Sequence, residues 1–196
     1  MPSTPKLSLV GIFLGLLSMS AHADWELNSA DSSLYYVTSK AAAVSEINSF
    51  GNLSGSISNQ GNAILEIDLS SVDTAIAVRN QRVKDMLFET QRFPTATISI
   101  NVNAADLSNM AVGSSVTANY NYSLSLHGIS SDLNADLRLT KTSNNRIEIQ
   151  PARPIILGAA LFGLAEGVEA LREIAGLPSI NPNVVVDFSL VYEDGM

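Results

Sequence analysis

The stretch "SVTANYNYSLSLHG" constrains the fold more than any other part of the chain. Val116, Ala118, Tyr120, Tyr122, Leu124 and Leu126 alternate without a break with Thr117, Asn119, Asn121, Ser123, Ser125 and His127. Successive side chains of a strand point to opposite faces, so this period of two predicts one long strand with a dry face and a wet one. The pattern returns in "AILEIDL" (Ala63, Leu65, Ile67, Leu69), "TATISINV" (Ala96, Ile98, Ile100, Val102), "DLNADLRLT" (Leu133, Ala135, Leu137, Leu139) and "NVVVDFSLVYE" (Val184, Val186, Phe188, Leu190, Tyr192). Turn residues separate the runs, among them "NQGN" before Ala63 and "SNN" before Arg146.

Further strands are expected at "SLYYVTS", "INSFGNLSGSI" and "NRIEIQP", bringing the total to about eight. Strands with one apolar face suit a single-walled antiparallel barrel better than a sheet covered on both sides. The expected class is therefore all-β with minor helices, an eight-stranded barrel with room for packed side chains or one slender ligand. Two segments break the period. "TAIAVRNQRVKDMLFET" has Ile76, Val83, Met86 and Leu87 at helical spacing, and "AALFGLAEGVEALREIAG" has Leu161, Leu164, Ala165, Val168, Leu171 and Ala175. The second has Arg172 in its last turn, Gly176 at the left-handed position and Pro178 beyond, a complete stop signal. Neither has the basic face of a membrane-surface helix, so both are expected to close ends or gaps of the barrel.

The first residues read as an address. Lys6, the apolar run Leu7–Met19 and the small-residue pattern Ala21, His22, Ala23 make a secretory leader (residues 1–23) cleaved after Ala23. The remaining 24–196 would form one domain, located in the periplasm or secreted. No stretch there is long enough for a transmembrane helix, so no stable membrane insertion is expected. The chain has no cysteine, which leaves hydrophobic burial to hold the fold and excludes thiol chemistry. With 11 Lys and Arg against 19 Asp and Glu, the net charge of −8 disfavours nucleic acid as a partner.

Catalytic signals are missing. Past Ala23 the one histidine is His127, on the polar face before a glycine, so it reads as a turn or surface residue, and no metal site is expected. "GNLSG" lacks the spacing of a nucleophile elbow. Asp132 and Asp136 fall on the outward face of a strand, where they solubilise it. The basic run "AVRNQRVKDMLFETQRFPTATISI" places Arg79 and Arg82 on one side of a helix with Asp85 three residues on, so a local salt-bridge cluster is available. Pro94 then ends this segment and delivers the chain into "TATISI".

That run, taken from "IDLSSVDTAIAVRN", resembles the signature of the YceI-like family: an Ile-Asp strand, a Ser-x-x-Thr turn, an Arg-containing helix, and Phe-Pro-x-x-T before the next strand. "WELNSADSSLYYVTSK", "FGNLSGSI" and "LSLHGISSDLNADLRL" resemble the family's first hairpin, second strand and long hairpin. The resemblance implies a lipocalin-like barrel, exported to the periplasm, with an apolar tunnel for a polyisoprenoid, a quinone or a related amphiphile. Two features depart from the family pattern. Asn80 and Arg82 stand where an Asp and a His are usual, and "RPIILGAALFGLAEGVEALREIAGLPSI" is longer and more helical.

The inward alternators are the expected tunnel lining: Leu65 and Ile67, Ile98 and Ile100, Tyr120, Tyr122 and Leu124, Leu137, and Phe188 and Leu190, with Phe88 and Phe162 lining the helix-covered ends. The expected function is non-enzymatic binding and carriage or sequestration of a long-chain isoprenoid or fatty acyl lipid, with no cofactor required. The alternative is a packed, ligand-free barrel acting as an envelope or stress interaction protein. A homodimer is left open.

Overall fold

The computed structural model describes residues 23–195 apart from 42, 104–106 and 108, so the expected leader lies outside the described residues up to residue 22. Twelve strands are present: β1 (Ala23–Leu27), β2 (Ser33–Lys40), β3 (Val44–Phe50), β4 (Leu53–Ser58), β5 (Asn62–Asp68), β6 (Val72–Asp73), β7 (Thr95–Asn101), β8 (Ser115–Leu126), β9 (Ile129–Ser143), β10 (Arg146–Pro151), β11 (Ile155–Gly158) and β12 (Asn183–Asp194).

They make eight staves. β1 runs on into β2, β3 into β4, β5 into β6 and β10 into β11, each across a short break. Every stave pairs antiparallel with the next in the chain, and β12 closes the ring by pairing with β1. The result is an up-and-down eight-stranded barrel closed between its first and last staves. The break at 28–32 is a turn in which the Asn28 Oδ1 accepts from the Ala30 and Asp31 amides. Its extra residues shift β2 along β12 relative to β1.

Meander topology sends alternate connections to opposite ends. The hairpin at 41–43, the connection from β6 to β7, the two-residue turn at 127–128 and the connection from β11 to β12 all sit at one end. Two helical segments cap that end: α1 (Ala77–Arg82), continued by a π turn at Val83–Leu87, and α2 (Ala165–Ile174). The second helical segment was expected to be continuous from 159 to 176. It is split, because Gly163 takes φ 68° between a 3-10 turn at Ala159–Phe162 and α2. Gly176, at φ 62°, ends α2 in the left-handed region as expected.

The two caps pack on each other where α2 has no side chain. A Cβ at Gly167 would lie 2.6 Å from the Met86 carbonyl oxygen and 3.0 Å from the Leu87 Cα, so only glycine permits this approach. The opposite end is filled: Trp25, Leu107 and Ile147 are buried there beside Ile57 and Tyr192.

Candidate ligand-binding cavity

Inside the staves lies an apolar cavity of about 660 Å³, within the usual range for small-molecule sites of about 300–1,000 Å³. Strict alternation builds its wall. Ala63, Leu65, Ile67 and Leu69 face inward beside Ala96, Ile98, Ile100 and Val102, and across the barrel stand Val184, Val186, Phe188, Leu190 and Tyr192. All twelve residues expected to line a tunnel are on this wall. Leu65, Ile67, Phe88, Leu124, Phe162 and Leu190 are buried, whereas Ile98, Ile100, Tyr120, Tyr122, Leu137 and Phe188 keep partial exposure.

The dry face of β8 is shorter than its sequence suggested. Val116 is exposed, and neither it nor Ala118 reaches the cavity. The physical reason is register: β7 pairs with β8 only at residues 122–125, so the first half of β8 lacks a strand on that side.

At the capped end the wall turns polar. Thr38, Lys40, Glu46 and Asn48 occupy inward positions of β2 and β3, and Arg79 and Arg82 approach from α1. Arg79 donates to the Glu46 carboxylate at 2.6 Å through Nη1 and to the Thr74 carbonyl through Nη2. Lys40 reaches the same Glu46 oxygen at 2.8 Å. Hydrogen bonding by Lys40, joined by Arg79, holds the Glu46 carboxyl below the usual range despite partial desolvation. The Arg79 Nε is buried without a partner.

The buried Asn48 donates to Thr38 Oγ1 at 3.2 Å, and below it Tyr36, Phe50 and Phe88 form a row with ring centroids 5.6 and 5.8 Å apart. Burial pushes the Tyr36 phenol well above its ordinary range, with the Arg79 charge pulling the other way.

The expected cluster of Arg79 and Arg82 with Asp85 does not form. Asp85 instead accepts from Gln81 at 2.9 Å, while Arg79 reaches out of its helix to β3. Asn80 explains its departure from the family pattern. Its Oδ1 accepts from the Thr74 amide at 2.7 Å and the Thr74 hydroxyl at 2.6 Å, and its Nδ2 donates to Asp73 at 3.2 Å. An aspartate could not make that donation and would set a carboxylate against Asp73.

His127 occupies the β8–β9 turn as expected, at φ 54°, but it is more covered than a surface residue. Its side chain is 15% exposed, its ring lies 4.4 Å from that of Phe93, and Nε2 is 3.4 Å from a Glu89 oxygen. Among the described residues, no group of three or more His, Cys, Asp or Glu could hold a metal ion.

Sequence reasoning missed Tyr36, Phe50 and the polar group around Arg79. The available signal was the inward set of the first hairpin, where Leu34, Tyr36, Thr38 and Lys40 pass from apolar to charged toward the capped end, and Phe50, Asn48 and Glu46 do the same.

Comparison with known proteins agrees with this architecture. A family model described as YceI-like domain matches residues 25–192. A polyisoprenoid binding domain from Saccharophagus degradans, implicated in plant cell wall breakdown, is 39% identical with a TM-score of 0.88, covering 89% of this chain and 100% of that one. BcnA of Burkholderia cenocepacia is 18% identical with a TM-score of 0.63, covering 84% and 98%. The Campylobacter jejuni YCEI protein is 11% identical with a TM-score of 0.52, covering 96% and 94%. The latter two show likeness of fold alone. No curated protein matches. On the family match across nearly the whole described barrel, the chain belongs to the YceI-like family.

Proposed function

We propose that this protein binds the long apolar chain of an isoprenoid, such as a prenylated quinone, or of a related lipid in the barrel cavity. It carries or sequesters that molecule in the periplasm after removal of the leader at Ala23. The observation that carries the reading is the cavity itself: about 660 Å³, walled almost wholly by aliphatic and aromatic side chains and reached past one polar group at the capped end. The similarity to a polyisoprenoid binding domain at 39% identity supports the same ligand class. Each methylene removed from water contributes about 0.8 kcal/mol, so chain length alone can give tight binding.

The chain would lie along Leu65, Ile98, Tyr122 and Phe188. A polar head group would stop at Arg79, whose Nε–H is a donor without a protein acceptor. This reading needs no cofactor and assigns no bond-making step. A barrel packed solid would have served as an interaction protein only, and the cavity argues against that alternative.

The test is titration of delipidated protein with a long-chain prenylquinone, followed by the protein's tryptophan and tyrosine fluorescence. Ile100→Arg, which puts a guanidinium into the apolar wall, should abolish binding, and Ile98→Trp should shorten the longest chain accepted. Asn121→Arg, on the outer face of β8, should bind like the unmodified protein. Equal binding by all of them would overturn the assignment of the cavity.

A further inference from the structure

The exposed aliphatic and aromatic side chains of this barrel are not scattered. Of thirteen large apolar residues exposed among those described, all but Ile64, Val112 and Val116 lie in the half of the barrel that the helices cap. Three of them, joined by the half-buried Val37, belong to one row on the outer wall. Ile156 is the register partner of Val185, Val185 of Val37, and Val37 of Ile47, so an aliphatic stripe crosses β11, β12, β2 and β3. Ile156 and Ile47, at its two ends, are 69% and 70% exposed. None of the four touches the cavity, which their sequence neighbours line.

Above this stripe is the opening. Ile76 and Val78 on the α1 side and Ile174 at the end of α2 are exposed and also line the cavity, and these three stand together at the capped end. Lys40, Arg79 and Arg82 stand among them against one carboxylate, Glu46.

Charge follows the same axis. Residues 38–46, 73–94 and 159–182, which build the capped end, hold six cations and seven anions. The other described residues from Trp25 onward hold four cations and ten anions. An anionic surface therefore repels the filled end and sides far more than the opening, and a barrel approaching one is turned opening first.

We infer that the capped end is a docking surface for a phospholipid bilayer. The barrel settles opening down, with Ile76, Val78, Ile174 and the stripe in the interfacial zone, so that the ligand passes between bilayer and cavity without crossing water. The inference rests on the carrier reading above. The contact proposed is peripheral and reversible, and no helix among the described residues is long and apolar enough to cross a membrane. A second copy of the chain is the competing occupant of the stripe.

Vesicle flotation tests it, using phosphatidylcholine vesicles that contain a minority of phosphatidylglycerol. The unmodified protein should float with the vesicles. Ile47→Asp combined with Ile156→Asp, two exposed outer positions that leave the cavity wall untouched, should cut partition by about tenfold or more. Val112→Asp, exposed at the filled end, should float like the unmodified protein.

Absence of flotation by the unmodified protein, or equal flotation by the double variant, overturns the proposal. So does a dimer in light scattering that the double variant converts to monomer without altered flotation. Bound lipid is extracted from the same samples. Lipid-loaded protein that ignores vesicles defeats docking alone, whereas lipid-free protein that docks defeats the carrier reading alone.

Discussion

Gly167→Ala should destabilise this protein although alanine is the better helix former. The residue lies inside α2, where replacing glycine by alanine contributes about 1 kcal/mol through backbone entropy. Against that, the new Cβ would stand 2.6 Å from the Met86 carbonyl oxygen, 3.0 Å from the Leu87 Cα and 3.2 Å from the Leu87 Cδ1. The first two are backbone atoms that no rotamer change can move, so α2 must lift off the π turn. Overpacking of this kind costs about 1–3 kcal/mol, and two rigid contacts place the case in the upper part of that range. The net loss is then about 1–2 kcal/mol. For a domain of this size each kcal/mol lowers Tm by about 2–4 °C, giving a fall of about 2–8 °C. Thermal unfolding of delipidated protein by circular dichroism measures it. Because Val168, Leu171 and Ile174 of the same helix line the cavity, ligand should also leave the variant faster. A Tm equal to or above that of the unmodified protein would refute the reasoning, since it would mean that α2 is not seated against Met86.

Two further predictions concern the polar groups of the capped end. The Glu46 carboxyl is held below its ordinary range in the fold, so its pairing stabilises the protein above the unfolded carboxyl's pKa and is lost as pH falls through the lower folded value. Glu46→Gln should therefore lower Tm at neutral pH and leave it closer to that of the unmodified protein in acid; parallel curves of Tm against pH would contradict this. Asn80→Asp should lower Tm more at neutral pH than at pH values where carboxyls are protonated, because a carboxylate there faces Asp73. A pH-independent loss would show that the lost amide hydrogen bond, and not charge repulsion, is responsible.

The barrel was legible because burial on one face imposes a period of two, and the wall from Leu65 to Leu190 obeys it. Where that single rule stops governing, the sequence became harder to read. Toward the capped end of β2 and β3 the inward side chains meet polar groups and an opening, so Thr38, Lys40, Glu46 and Asn48 do not look like wall residues. Val116 failed for the opposite reason: it alternates correctly, but β8 has no β7 partner at that level to enclose it. The reach of Arg79 to Glu46 spans 33 positions, and nothing local in "AVRNQR" distinguishes it from a bond to Asp85. The stripe left a readable trace in "NVVVDF", where Val185 is apolar on a face that a solvated barrel would make polar.

The central claim is that the cavity holds a long apolar chain, and native mass spectrometry of protein purified without detergent tests it most directly. The account predicts a mass above that of the polypeptide by one ligand, with organic extraction yielding a stoichiometric isoprenoid or long-chain lipid, and loss of that added mass in Ile100→Arg. Protein at its bare mass that also fails to take up added prenylquinones and fatty acids would contradict it.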